Sequence, residues 1–178
     1  MSKKSMDEKL NEELAQDEQE HDHQNPTAAA MTNHIVANLA VLWTKLHQYH
    51  WYVKGPHFFT LHEKFEELYN DASKWYDEIA EKLLAMGAKP FSTTEQNLKY
   101  AMVEEDGGDK YRSAEEMVET IIDDFRMNRD VAVRAMNLAG EQGHSVLEDV
   151  LTGFKAYLDK QIWMLQAYLS KTALEDEE

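Results

Sequence analysis

Four long stretches of the sequence repeat apolar residues at steps of three and four, the spacing of an α-helix that buries one face. Only seven Gly and three Pro occur in 178 residues, so little interrupts these stretches. The length favours a single domain. We therefore expect an all-α protein built as a four-helix bundle. The breaks between the stretches lie at Gly55-Pro56, between Gly87 and Gly108, and at Gly140.

The lengths of the connections predict how the four helices are arranged. The first and second helices, and the third and fourth, are joined by short turns, which pair neighbours antiparallel. The connection between the second and third helices is long, and Ser92-Thr93-Thr94-Glu95 is a capping-box pattern that predicts a short helix inside this crossover. The same pattern at Ser113 and Glu116 predicts the start of the third helix, and at Ser145 and Glu148 the start of the fourth. We predict a bundle domain over residues 26–175, starting at the cap Asn25-Pro26, and an acidic end over 176–178.

The first 25 residues have a different composition. Eight acidic residues and three lysines leave little to bury, so we expect an acidic flexible tail, either disordered or a frayed helix. His21 and His23 lie among three carboxylates there. This group is either a weak site for a divalent cation or a solvated acidic run, and the sequence leaves its role open.

Charge and composition exclude several classes of function. The chain has 34 acidic and 18 basic residues, a formal charge of −16, which repels nucleic acid and anionic membranes and attracts cations. With no Cys, any bound metal depends on His, Asp or Glu. No signal peptide or apolar run long enough to span a membrane is present, so we expect a cytoplasmic protein.

The second predicted helix carries two pairs of metal-ligand residues. His62 and Glu66 are four residues apart, as are Asp77 and Glu81, and all four lie within about 100° of one another around the helix. Yet His62 and Asp77 are separated by about 22 Å along the axis at 1.5 Å per residue, so one ion cannot reach both pairs in one chain. Either these are two weak half-sites, or a twofold-related subunit running antiparallel completes each site.

The sequence lacks the usual di-iron pattern of four-helix bundles, in which one chain supplies all the ligands. Its absence favours a site that a twofold-related subunit completes. That pattern places a Glu-x-x-His pair on each of two helices. Here the string occurs only at Glu18 to His21 in the tail and at Glu141 to His144 across a turn. Neither lies in a bundle interior, which strengthens the interpretation that the site is formed between subunits.

The stretch from Leu46 to Gly87 resembles the signature of the Dps family, ferritin-like miniferritins of bacteria under oxidative stress and starvation. The resemblance rests on the His50-Trp51 pair, the string F-x-x-L-H-E-K and the string D-E-x-A-E-K, and the carboxy-terminal F-K-A-x-x-D-K-x-I-W-M also fits. It spans about residues 28–175. It implies a ferritin-like bundle that assembles into a hollow homododecamer with metal sites at its twofold interfaces.

The resemblance also implies the chemistry. The family's ferroxidase ligands correspond to His50, His62 and Glu66 of one subunit and to Asp77 and Glu81 of its twofold mate. Such a shell oxidises Fe(II) as an enzyme, preferably with hydrogen peroxide, and stores the ferric mineral. Many relatives have Asp at the position of Glu66, so the longer side chain shifts the second metal position.

Other positions keep two interpretations. Asp149 corresponds to a residue that lines the family's threefold pore, or it is a carboxylate favoured by the dipole of its helix. Trp51 either packs on its helix or scavenges a stray oxidising equivalent.

Direct DNA binding is disfavoured, because the amino-terminal lysines are outnumbered by acids and the chain ends in Glu-Asp-Glu-Glu. The alternatives to iron oxidation are a nucleoid-coating protein and a helical bundle acting as an adhesin or antigen.

Overall fold

The computed structural model describes residues 5–20 and 25–177, and in this part of the chain the regular structure is entirely helical. Four long helices form the bundle, and the predicted all-α four-helix architecture is confirmed. A short helix lies in the crossover between its second and third members, as the sequence predicts, and a 3-10 helix follows it there. The helices are α1 (Met6–Glu20), α2 (Ala28–Tyr52), α3 (Phe58–Ala85), α4 (Thr94–Tyr100), α5 (Ala114–Glu141) and α6 (Ser145–Tyr168), with the 3-10 helix at Gly107–Tyr111.

The predicted helix caps are partly right. The predicted capping box at Ser92 is wrong, because Thr93 is the N-cap of α4 and its side chain accepts a hydrogen bond from the amide of Gln96. Ser113 and Glu116 form the capping box that opens α5, as expected. The expected cap Asn25 is wrong, because Thr27 is the N-cap of α2 and its side chain accepts a hydrogen bond from the amide of Ala30. The expected side-chain cap at Ser145 is also wrong, since α6 starts at Ser145 and its N-cap is His144, which makes no side-chain cap bond.

The core is built from one face of each long helix. Each of the four contributes a fully buried aromatic ring: Tyr49 in α2, Phe65 in α3, Phe125 in α5 and Phe154 in α6. The rings of Tyr49 and Phe65 meet edge to face at 5.8 Å between centroids, which fixes α2 against α3. These two helices carry all five predicted ligands, so this packing sets the position of His50 relative to the four candidates on α3.

A buried asparagine attaches the crossover to the bundle. The Asn38 Oδ1 accepts hydrogen bonds from the amides of Met102 and Val103, at 2.6 and 3.2 Å. Its Nδ2 donates to Oδ1 of Asn128 on α5 at 3.0 Å. One side chain therefore satisfies backbone groups of the crossover and joins α2 to α5, which matters because an unpaired buried amide is destabilising.

The acidic amino-terminal segment forms a helix over residues 6–20. Ser5 and Glu8 exchange hydrogen bonds at its start. Ion pairs attach it to the bundle, with Glu13 at 2.7 Å from Lys89 and Glu18 at 3.1 Å from Lys99. His21 and His23 lie outside the described residues, so their metal-binding role stays open. Among the described helices, none combines the length and the apolarity that crossing a bilayer needs.

Candidate metal centre

Two of the predicted ligands lie side by side where α2 ends and α3 begins. His50 is in the last turn of α2 and His62 is in the second turn of α3. The connecting turn contains Gly55 at φ 112°, a left-handed conformation that glycine adopts without strain. The turn folds the helices back on each other, so the two imidazole rings stack at 3.7 Å between centroids with 15° between their planes.

Reciprocal hydrogen bonds hold these two rings. The Nδ1 of His50 lies 2.7 Å from the backbone oxygen of His62, and the Nδ1 of His62 lies 2.7 Å from the backbone oxygen of His50. A carbonyl oxygen only accepts, so each neutral ring carries its proton on Nδ1 and keeps the lone pair on Nε2. Both Nε2 atoms are thus prepared as ligands, in the way that metal-binding histidines are oriented by a second hydrogen bond.

The three predicted carboxylates follow on α3. Glu66 lies one turn after His62, Asp77 and Glu81 lie near the other end of the helix, and all three are exposed. Within the described residues of this one chain, no three His, Asp or Glu side chains converge into a group that could hold a metal ion. The structure brings together His50 and His62, and Glu66 follows close by in sequence. Asp77 and Glu81 stand apart from them. The set of five ligands therefore stays a prediction.

Exposed aromatic side chains lie on the face of α2 and α3 that carries these residues. Trp43 is 45% exposed and Trp51 is 66% exposed in the single chain. Between the helices runs a shallow groove lined by Leu39, Ala40, Trp43, Ser73 and Tyr76. Exposed aromatic surface of this kind is typical of a protein contact. The apolar surface and the ligand residues therefore share one face.

Sequence reasoning missed Tyr69, whose ring lies next to the histidine pair. Tyr69 lies 5.4 Å from the ring of His50, perpendicular to it, and stacks on His47 at 3.8 Å. Partial burial raises the pKa of Tyr69, and the carboxylate of Glu66 adds to the rise. The signal was present in the sequence, because Tyr69 lies seven residues after His62 and so on the same helix face.

Two other histidines of the bundle and the pore candidate Asp149 lie elsewhere. His34 bonds through Nδ1 to the backbone oxygen of Tyr100, and the ring of His57 packs edge-on against Tyr168, so neither joins the histidine pair. Asp149 is exposed near the start of α6. Its position is compatible with both the pore and the helix-dipole interpretations, and its role in a pore stays a prediction.

The donor set suits a first-row divalent metal. Imidazole nitrogen binds Fe(II) and related ions well, and carboxylate oxygen stabilises a higher charge. Such a mixture favours an ion that changes from Fe(II) to Fe(III) while bound. The two imidazoles present in one chain are donors of this type, and further carboxylates are needed to complete a site.

Comparisons with known proteins give a consistent result. A family model described as a ferritin-like domain matches residues 29–174. The chain is 43% identical over 143 residues to the DNA protection during starvation protein of Listeria monocytogenes, covering 80% of this chain and 92% of the relative. It is 46% identical over 137 residues to general stress protein 20U of Bacillus subtilis, covering 77% of this chain and 93% of that protein.

Solved structures agree with the sequence comparisons. The X-ray structure of Dps from Listeria monocytogenes superimposes with a TM-score of 0.82 at 41% identity, covering 85% of this chain and 98% of that one. The crystal structure of Dps from Staphylococcus aureus superimposes with a TM-score of 0.77 at 45% identity, covering 80% and 94%. The segment before residue 29, which includes α1, lies outside the family model.

Proposed function

The chain belongs to the Dps family of ferritin-like proteins, and we propose that it oxidises Fe(II) and stores the ferric product in a hollow shell of twelve subunits. Hydrogen peroxide is the preferred oxidant in this proposal. The activity removes Fe(II) and peroxide together, which protects the cell against oxidative stress. Iron is the substrate and the cargo.

The stacked pair of His50 and His62 is the observation that carries the proposal. Two imidazoles whose Nδ1 atoms are both bonded to backbone oxygens present two Nε2 lone pairs at one end of α3. Nothing in the bundle core needs such a pair, because packing alone is served by apolar rings. Metal binding gives these two polar rings a function.

Each site is completed across a twofold axis in this proposal. His50, His62 and Glu66 come from one subunit, and Asp77 and Glu81 come from its mate, whose α3 runs antiparallel. An isologous contact places the distant end of one α3 beside the near end of the other and generates two equal sites per dimer. The exposed tryptophans on the same face support such a contact.

The chemistry consumes two electrons per peroxide. Two Fe(II) ions give one electron each, the O–O bond breaks, and two protons are taken up, so two Fe(III) and two waters form. Pairing the electrons avoids release of hydroxyl radical. The carboxylates favour the Fe(III) product, which lowers its reduction potential and assists oxidation. Fe(III) then hydrolyses to a ferric oxyhydroxide inside the shell. Fe(II) enters the shell through pores that include Asp149.

Replacement of both histidines tests the proposal. We expect the double variant His50→Ala and His62→Ala to assemble like the parent, by native mass spectrometry, and to lose the rapid phase of Fe(II) oxidation by peroxide. His57→Ala is the matched control, because this histidine is exposed in the turn between them. An assembled double variant that oxidises Fe(II) at the parental rate would refute the ligand assignment.

DNA binding is the second candidate, because relatives bear the name DNA protection during starvation protein. The charge of −16 opposes it, and two lysines of the bundle, Lys89 and Lys99, are already paired with Glu13 and Glu18. We expect no retarded band in a mobility-shift titration of duplex DNA at low salt. Tight binding that weakens steeply with salt would support the DNA-coating function instead.

A further inference from the structure

The amino-terminal helix α1 carries an apolar stripe that the single chain leaves exposed. Met6, Leu10 and Leu14 are four residues apart, so they lie within about 80° of one another around the helix. Their exposed fractions are 87%, 51% and 39%. A continuous apolar stripe on a helix is normally covered by another element, and an uncovered one is typical of a contact surface.

The bundle holds α1 by its second half. Glu13 pairs with Lys89 at 2.7 Å, and Glu18 pairs with Lys99 at 3.1 Å. Ion pairs between exposed side chains contribute little to stability, so this attachment is weak. The exposed fraction of the apolar stripe falls toward the attached half, which indicates that the first half of α1 projects beyond the contact.

The helix also stands off from the bundle. A cavity of about 360 Å³ is lined by Glu13 on the side of α1 and by Met86, Ala88 and His144 on the side of the bundle. The bundle surface therefore does not close over the stripe. A second molecule can reach the stripe without unfolding either element.

Local hydrogen bonds keep α1 helical at its projecting end. The amide of Ser5 donates to Oε2 of Glu8 at 2.8 Å, and the amide of Glu8 donates to Oγ of Ser5 at 3.2 Å. This reciprocal box stabilises the start of a helix without help from the bundle. The stripe is thus presented on a helix that is already formed, which lowers the ordering cost of binding.

The charge of α1 selects the kind of molecule that can cover the stripe. The helix has seven acidic residues and one lysine. At about 100° per residue, Glu13 borders the stripe at one edge, and Asp7 and Glu18 border it at the other. Nucleic acid and anionic membranes are repelled by this charge. A second copy of the chain brings the same formal charge of −16, so it is repelled as well.

We propose that α1 is a docking helix for a basic amphipathic helix of a partner protein. The apolar residues of the partner cover Leu10 and Leu14, and its lysines or arginines meet the carboxylates at both edges of the stripe. Two helices that pair in this way bury their apolar seam, while the flanking charges determine which partner is accepted. The helix lies outside the matched ferritin-like domain, so this contact is independent of iron oxidation.

The test measures fluorescence anisotropy of a labelled synthetic peptide of leucine and lysine, with its leucines at helical spacing, mixed with assembled full-length protein. We expect the parent to bind this peptide about tenfold more tightly than a peptide of the same composition in shuffled order. Leu10→Ser with Leu14→Ser keeps the charge of α1, and we expect it to bind the helical peptide about tenfold more weakly. Leu10→Met with Leu14→Met keeps the stripe apolar, so we expect parental affinity.

Matched controls separate the stripe from general stickiness. Leu84→Ser with Leu174→Ser changes two exposed leucines outside α1, and we expect parental affinity for the helical peptide. A peptide with glutamate in place of every lysine keeps the leucine spacing, and we expect it not to bind. Equal binding of the helical and shuffled peptides, or unchanged binding in the stripe variant, would overturn the proposal.

The same samples identify a different occupant. If a neighbouring copy covers the stripe, the helical peptide does not bind the parent, and Leu10→Ser with Leu14→Ser impairs assembly in native mass spectrometry. If the stripe meets lipid, the parent binds phosphatidylcholine vesicles and the peptide does not bind. Either result would refute a basic partner.

Discussion

The proposed intersubunit site is tested most sharply by two variants that each lack one half of it. One carries His62→Ala with Glu66→Ala, and the other carries Asp77→Ala with Glu81→Ala. The two halves lie about 22 Å apart along α3 at about 1.5 Å per residue, so neither variant retains a complete site in any arrangement. Only a subunit of the other kind can supply what each lacks.

The expected rescue has a definite size. Random co-assembly makes about half of the twofold dimers mixed. Each mixed dimer has one site that combines the two intact halves and one site that combines the two mutated halves. About one quarter of all sites is therefore complete, so we expect co-assembled shells to oxidise Fe(II) at about a quarter of the parental rate per subunit.

The assay compares two preparations of equal composition. The variants are co-expressed with different affinity tags and purified through both, and the rapid rise in ferric absorbance is measured by stopped flow. The control blends separately assembled shells of the two variants, for which we expect only the slow background. Co-assembled shells no faster than the blend would refute the intersubunit site. Full activity in either variant alone would refute the ligand assignment itself.

Two further predictions concern contacts that stabilise the bundle. Asn38→Ala removes the acceptor of two crossover amides at 102–103, so we expect a loss of about 2–4 kcal/mol in the free energy of unfolding. The control Asn137→Ala changes an exposed side chain, and we expect little change from it. Urea denaturation of assembled shells measures both variants, and equal effects would contradict the role given to Asn38. Arg129 lowers the pKa of Glu177, so its charged form stabilises the fold above the unfolded value of 4.5 and this contribution is lost as the pH falls through the lower folded pKa. We expect Glu177→Gln to destabilise by less than about 1 kcal/mol at pH 7 and by less still at pH 4 in guanidinium titrations, and a difference that grows on acidification would contradict this.

Part of the fold and of the site was predictable because local spacing encodes it. The bundle, the crossover helix and the box at Ser113 follow from periodicity and capping patterns that involve residues a few positions apart. The cap at Thr27 was missed because Asn25-Pro26 has a stronger local pattern. The contact of Glu13 with Lys89 was missed for another reason, since 76 residues separate them and no local rule connects them.

The sequence by itself determined that His62, Glu66, Asp77 and Glu81 share one helix face and lie too far apart for one chain to join them, since an α-helix has a fixed rise and a fixed rotation per residue. Tertiary structure decided what surrounds them. The stack of His50 on His62 and the contact of Tyr69 with His47 depend on how α2 lies against α3. That placement is set by side chains buried between the helices, such as Tyr49 and Phe65, and close packing of such a core involves many residues at once.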